Sequence, residues 1–124
     1  MIDFKNATFL KLKPIKIEEI IDIMHKMFLD DENVFAAFKT VRDQLVFTDK
    51  RIIAANVQGI TGKKIDFTSI PYSRIQTFSV ETAGLIDLDC ELEIFVSSIG
   101  PIHFDITGGF DIVAFSKLIG KYIL

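Results

Sequence analysis

The residues with the most obvious capacity for chemistry are four acids at alternate positions of the segment LIDLDCELEI, residues 85–94: Asp87, Asp89, Glu91 and Glu93. In a strand, residues two apart share one face at a spacing of about 6.6 to 6.8 Å. A straight strand cannot wrap around a Ca²⁺ ion, and no His or Asn interleaves with the acids to complete a metal shell. We therefore predict a solvated strand face, with an electrostatic contact to basic groups on a neighbouring strand or subunit as the alternative.

The single cysteine and the two histidines show no catalytic pattern. Cys90 alternates with the acids, so it is predicted to point into the core and to behave as a small hydrophobe. His25 and His103 are predicted to lie on polar faces, outside any motif with a nucleophile. The glycines of QGITGKK, residues 58–64, join two predicted strands and open no helix, so a phosphate cradle is not predicted. We predict no catalytic, cofactor-binding or metal-binding residue and a chain that is not an enzyme.

Composition limits the class of protein. A chain of 124 residues with 49% hydrophobic residues and 12 Phe can bury one core without disulfides or metal. The net charge of −3 argues against a nucleic-acid footprint and disfavours anionic membrane surfaces. One cysteine excludes an internal disulfide, and no apolar run reaches the roughly 20 residues that a membrane-spanning helix needs, so we predict neither a membrane span nor a signal peptide. A cytoplasmic protein is expected.

The N-terminal part has helical periodicity. The segment IKIEEIIDIMHKMFLDD, residues 15–31, follows Pro14, and its apolar residues recur on one side of a helix. Those residues are Ile17, Ile20, Ile21, Ile23, Met24, Met27 and Phe28. We predict an amphipathic helix that docks on the protein's own core. Residues 1–33 are therefore treated as a helical extension and residues 34–124 as the main domain.

From Val34 onward, short segments rich in Phe, Val, Ile and Thr are separated by turn residues, a pattern that predicts an antiparallel sheet. Seven strands are predicted, at 34–42, 44–48, 51–57, 63–70, 74–81, 88–97 and 102–107. The connectors are too short for crossover helices, which excludes a parallel βαβ architecture.

The chain ends in a second predicted helix, FDIVAFSKLIGKYIL, with Thr107 or a nearby residue as its cap. Its apolar residues cover about half of the circumference, which is more than the roughly 100° stripe needed to dock on one core. The excess predicts a second partner, either the N-terminal helix or a neighbouring copy of the protein. The candidate interface residues are Ile112, Phe115, Ile119, Tyr122 and Ile123.

Four fragments carry a family resemblance: LVFTDKRII (45–53), QGITGKK (58–64), IPYSRI (70–75) and FSVETAGLIDLD (78–89). In this order they resemble the bacterial pleckstrin-homology (PH) domain family. The resemblance implies a mainly β fold, a seven-stranded antiparallel PH-like barrel of two sheets capped by a C-terminal α-helix. It also implies ring-shaped homo-oligomers, and it supplies no activity.

The resemblance raises the question of anionic lipids. Members that bind phosphoinositides carry a basic cluster around the first two strands, but the equivalent junction here, FKTVRDQLVF, offers only Lys39 and Arg42 before Asp43. With Lys63 and Lys64 they form a candidate anionic-ligand rim. The predicted function is a non-enzymatic scaffold or interaction module whose partner is a second copy of itself, with a peptide or protein partner also open. The alternative is an anionic-lipid or membrane-surface binding module.

Overall fold

Short segments rich in Phe, Val, Ile and Thr form most of the chain, and in the computed structural model they assemble into one curled, eight-stranded sheet. The structure describes residues 1–6, 9–82, 89–109 and 111–124. The strands are β1 (Phe9–Pro14), β2 (Val34–Lys39), β3 (Gln44–Thr48), β4 (Arg51–Gln58), β5 (Lys64–Pro71), β6 (Ile75–Thr82), β7 (Cys90–Val96) and β8 (Gly100–Ile106). The helices are α1 (Asp22–Met27) and α2 (Ile112–Ile123), and 3-10 turns stand at Ile17–Glu19 and Tyr72–Arg74.

The strand order is β5-β4-β3-β2-β1-β8-β7-β6. Neighbouring strands are antiparallel except β1 and β8, which run parallel. The PH-like, mainly β fold with a C-terminal helix is confirmed, but the strand count of seven was one short. The additional strand, β1, joins the two halves of the sheet.

Strand β1 was not predicted because its alternation is interrupted. Phe9 and Leu12 both point into the core although they lie three residues apart, which no regular strand allows. Lys11 between them has a φ of 56°, and the register shifts between the two buried residues. A β-bulge of this kind inserts one residue and so hides the period of two from the sequence.

The N-terminal helix is much shorter than predicted. Only Asp22–Met27 is α-helical, because Ile20 and Ile21 are extended, with ψ values of 135° and 142°. The Gln44 side chain satisfies the backbone at this break: its Oε1 accepts from the Ile21 N–H at 3.0 Å and its Nε2 donates to the Glu19 carbonyl at 3.1 Å. A side chain from β3 therefore replaces hydrogen bonds that a continuous helix would make.

The break changes which apolar residues are buried. Ile20 and Met24 are buried, whereas Ile17 and Ile23 are about half exposed, at 51% and 50%. The prediction of one continuous apolar face was therefore wrong, but the prediction that this segment docks on the protein's own core is confirmed. The second core consists of Ile20, Met24, Ala37, Val46, Ile53 and Ala55.

The sheet consequently has two different faces. One face curls around the main core, which includes Leu45, Phe47 and Leu92. The other face of β2, β3 and β4 is covered by the segment containing α1. All five residues of β3 are buried as a result, including the polar Gln44 and Thr48 at its two ends.

Helix α2 plugs the barrel. Asp111, and not Thr107, caps it, since the Asp111 Oδ1 accepts from the Ala114 N–H at 3.0 Å. Phe115 is buried edge-on against Phe47, with ring centroids 5.0 Å apart. Edge-to-face pairs of this kind add to the stabilisation that burial provides.

Tyr122 fixes the last turn of α2. Its ring stacks on Phe35 at 5.3 Å and on Tyr72 at 5.6 Å, so it lies between two aromatic side chains from different elements. Tyr72 is itself fixed by a hydrogen bond from its hydroxyl to the Thr48 carbonyl, at 2.6 Å. The end of the helix is thereby tied to β2 and to the turn after β5.

Candidate functional site

The acidic row lies on the outer face of β7. Cys90 and Leu92 are buried and Glu91 and Glu93 are partly exposed, as the alternation predicts. Asp89 just before the strand accepts a hydrogen bond from the Gly108 N–H at 3.0 Å, which is a structural role. Asp87 lies outside the described residues.

The imidazole of His103 lies beside this acidic row, although the sequence shows no histidine close enough to join the acids. His103 on β8 is the register partner of Glu93. Its Nδ1 lies 2.8 Å from Glu91 Oε1 and 3.3 Å from Glu93 Oε2. The histidine is absent from the acidic segment itself, so only the pairing of the two strands brings it there.

Further carboxylates flank the row. Glu81 on β6 and Asp105 on β8 are both register partners of Glu91, so three acids lie side by side across three strands. Among the ion pairs of the described residues, none joins these acids or Glu93 to a lysine or arginine side chain. The outer face of β6, β7 and β8 therefore concentrates negatively charged side chains.

Cys90 and His25 do not form a catalytic site. Burial, followed by the charges of Asp105 and Asp89, raises the pKa of the Cys90 thiol to about 11, which disfavours the thiolate needed for nucleophilic attack. His25 is exposed on α1, where its Nε2 lies 3.1 Å from the Ile17 carbonyl oxygen. Within the described residues, the prediction of a core cysteine and a surface histidine is confirmed.

A basic groove lies on the other half of the sheet, with a volume of about 540 Å³. Two members of the predicted rim, Lys39 and Arg42, border it, together with Lys11 and Lys13 of the unpredicted strand β1. Lys13 and Lys39 are direct register partners, so two like charges face each other across β1 and β2.

The other members of the predicted rim lie apart from the groove. Lys63 and Lys64 belong to the β4–β5 turn and the start of β5, and neither borders the groove. Arg42 connects the two regions, because its Nη2 donates to the Gly59 carbonyl in that turn. The groove is therefore built mainly by β1 and the β2–β3 loop.

The candidate interface residues of α2 are used largely by the protein's own core. Phe115 and Ile119 are buried, and Ile112, Tyr122 and Ile123 are half-buried against the same core. The helix also contacts Phe35 and Tyr72 through Tyr122, so the barrel accounts for much of the apolar face, while Val113 and Ala114 stay exposed.

Strand β6 presents a free edge. Among the described strands it is the last on its side of the sheet, and β7 is its one partner there. No backbone hydrogen bond of the described residues joins its other side to a further strand. An unpaired strand edge exposes a row of N–H and C=O groups to which another strand can add.

The curled sheet plugged by a C-terminal helix defines the class of protein as a PH-like domain, a type that is generally non-catalytic. The chain matches the Bacterial PH domain family over residues 3–123 and belongs to that family. In the described part of the chain, no helix has the length and apolar character needed to cross a bilayer.

Similar proteins agree with this assignment. The chain is 54% identical over 92 residues to the uncharacterized protein YjqA of Bacillus subtilis, covering 74% of this chain and 70% of that protein. A solved protein with a PH domain from Shewanella loihica has a TM-score of 0.78 and 34% identity, covering 93% of this chain and 99% of that one. A solved PH domain from Shewanella amazonensis has a TM-score of 0.64 and 38% identity, covering 96% and 93%.

Proposed function

We propose that this chain is a non-catalytic scaffold that associates with further copies of itself through the edge of β6. The free edge of this strand carries the proposal. Eight residues, Ile75–Thr82, form the strand, and its sequence IQTFSVET contains no lysine or proline to block pairing. A β6–β6 contact closes as a two-fold dimer, whereas a head-to-tail contact of β6 with a different surface of the neighbouring copy closes as a ring.

The opposite edge of the sheet supports the choice of β6. At β5, the N-terminal amine pairs with Asp66 at 3.0 Å, and the Ile2 N–H donates to Thr68 Oγ1 at 3.0 Å. Ile2 is buried there, so the N-terminal residues cover this side. The described residues provide no such cover for β6, which leaves it as the available edge.

The oligomeric state tests this proposal directly. Sedimentation velocity of the intact chain at tens of micromolar should show a species larger than the 14.0 kDa monomer. A single monomeric species at that concentration would refute self-association. Cross-linking with a carbodiimide, which joins carboxylates such as the exposed Glu81 of β6 to lysines of a neighbouring copy, followed by mass spectrometry, then tests whether β6 lies at the contact.

A second function, binding of an anionic lipid headgroup, is favoured by the Lys13–Lys39 pair. Two lysines held opposite each other repel, and an anion bound between them offsets that cost. Lys11 and Arg42 add positive charge to the same groove. These four side chains take part in none of the ion pairs found among the described residues.

Vesicle co-sedimentation separates the two functions. Vesicles containing phosphatidylserine should retain the protein at low salt and release it at high salt, and pure phosphatidylcholine vesicles should not retain it. Lys39→Ala should weaken retention, whereas Lys50→Ala, which removes a lysine paired with Asp31 outside the groove, should not. Equal behaviour of both variants would contradict a site in the groove.

A further inference from the structure

We propose that Glu91, Glu93 and His103 form a binding site for one zinc-class divalent cation on the outer face of β7 and β8. One ligand atom from each residue lies within 4.8 Å of the other two. The set combines one imidazole nitrogen with two carboxylates, and it lies on neighbouring strands of the sheet. This site is separate from the edge of β6 and from the basic groove, so it stands or falls independently of the proposed function.

The distances are close to those of a coordination shell. Zinc binds imidazole nitrogen and carboxylate oxygen at about 2.0 to 2.2 Å, which in tetrahedral geometry places ligand atoms roughly 3.3 to 3.6 Å apart. The His103 Nδ1 lies 2.8 Å and 3.3 Å from the nearest oxygens of Glu91 and Glu93. The three ligand atoms lie within 4.8 Å of one another, so rotation of the side chains can bring them into one coordination shell around an ion.

The strands hold these ligands in position. Glu93 and His103 are register partners, so their backbone separation is set by the β7–β8 pairing. The residues that alternate with them, Leu92, Ile94 and Phe104, are fully buried and prevent the strands from sliding. The three ligand side chains keep between 44% and 53% of their surface exposed, which leaves room for an ion to enter and retain water ligands.

The surroundings favour a cation and the ligand set selects its class. Glu81 and Asp105 stand directly opposite Glu91, and like charges in that arrangement destabilise a sheet unless a cation offsets them. Imidazole is a ligand for zinc, copper, nickel and related metals, whereas magnesium and calcium prefer oxygen alone. The expected order of affinity is therefore zinc above magnesium or calcium. Cys90 points to the opposite, buried face and cannot contribute a thiolate.

Calorimetric titration of the intact chain with ZnCl₂ in a non-chelating buffer tests the site. The wild type should bind one equivalent, and His103→Ala and the double variant Glu91→Gln/Glu93→Gln should each bind at least tenfold more weakly. His25→Ala and Glu18→Gln, which remove an exposed histidine and an exposed acid elsewhere, should bind like the wild type. With Co²⁺ in place of Zn²⁺, visible absorption should appear in the wild type and be lost in His103→Ala.

Three outcomes would overturn the site. They are no heat with ZnCl₂ in the wild type, undiminished binding in His103→Ala, or an equal loss in His25→Ala. In each case the close approach of His103 to the two glutamates would be a hydrogen-bonded contact and nothing more. Circular dichroism of each metal-free variant confirms that the fold is retained, which is expected because all the substituted side chains are partly or fully exposed.

Discussion

Arg51 and Glu32 form an ion pair at 2.8 Å that fastens the segment after α1 to β4. The Glu32 side chain has no exposed surface, and it also accepts hydrogen bonds from Thr48 Oγ1 at 2.7 Å and from the Leu29 N–H at 3.0 Å. Arg51 in turn donates to the Met27 carbonyl at the end of α1, at 3.1 Å. These contacts hold the cover over the second core in place.

Glu32 should make the fold sensitive to acid. Burial opposes its ionisation, but hydrogen bonds from Arg51, Thr48 and Leu29 together outweigh burial and lower its pKa from 4.5 to about 2. Because the folded-state pKa is depressed, the contribution is complete above about pH 4.5 and disappears as the pH falls towards 2. This shift means that ionised Glu32 contributes about 3 kcal/mol to the free energy of unfolding at neutral pH.

Urea unfolding at pH 7 and at pH 3 measures this dependence. Glu32→Gln should be less stable than the wild type at pH 7 and should lose less stability between the two pH values. Glu18→Gln, an exposed acid on the preceding 3-10 turn, serves as the control and should follow the wild type. The same pH dependence in Glu32→Gln as in the wild type would contradict the assignment.

Truncating Tyr122 should loosen the plug. Tyr122→Ala removes the ring that lies between Phe35 and Tyr72 and should lower the free energy of unfolding by about 2 to 3 kcal/mol. Tyr122→Phe keeps both stacking contacts and should cost much less. Chemical unfolding of the two variants provides the comparison, and equal losses would show that the ring contacts are not what stabilises the helix end.

Cys90 should be inert in the folded protein. It is buried, and its pKa of about 11 leaves on the order of one thiol in a thousand ionised at pH 8. Modification by a disulfide reagent should therefore be slow in buffer. It should be rapid in about 6 M guanidinium, which unfolds the protein and exposes the thiol. Rapid modification in buffer would indicate that β7 opens locally.

Proline at the free edge should separate folding from association. In an antiparallel edge strand, successive N–H groups point alternately to the partner strand and to the free side. Of Ser79→Pro and Val80→Pro, one removes a hydrogen bond to β7 and should destabilise the fold, and the other removes only a free-edge N–H. The more stable variant should associate at least tenfold more weakly in sedimentation velocity, and wild-type association in that variant would exclude the β6 edge.

Reversing the charge of one lysine in the groove should raise the stability of the fold and reduce lipid binding. Lys13→Glu turns the like-charge pair with Lys39 into an opposite-charge pair, which should stabilise the fold by about 0.2 to 1 kcal/mol. Retention on phosphatidylserine vesicles should fall at the same time. Lys16→Glu makes the same change in net charge outside the groove and should leave retention close to wild type. Similar losses in both variants would indicate a general charge effect.

Alternation along single strands was readable from the sequence, and residues in β7 illustrate why. A strand has a period of two, so the acids of LDCELEI identify the wet side and Cys90 and Leu92 identify the core side without reference to any other strand. Strand β1 shows the limit of this reasoning. The bulge at Lys11 breaks the period, and its backbone conformation is chosen by pairing on both sides of the strand.

The N-terminal helix shows a similar limit. Its apolar spacing is helical, yet Gln44 of β3 hydrogen-bonds to the backbone at Glu19 and Ile21 and stabilises a break there. Helical periodicity of apolar residues predicts which side chains would be buried if the segment were a helix. It does not record a competing hydrogen-bond partner that arrives from a distant strand.

The sequence by itself determined the fold class, the family and the orientation of most strand residues, since these depend on local patterns and on fragments contiguous in the chain. Only the tertiary structure decided which charged residues meet. Strand order and hydrogen-bond register place Lys13 opposite Lys39 and His103 opposite Glu93. Register is a property of two strands together. Shifting one strand by a single residue would turn its side chains to the other face of the sheet and separate the Lys13–Lys39 or the His103–Glu93 pair.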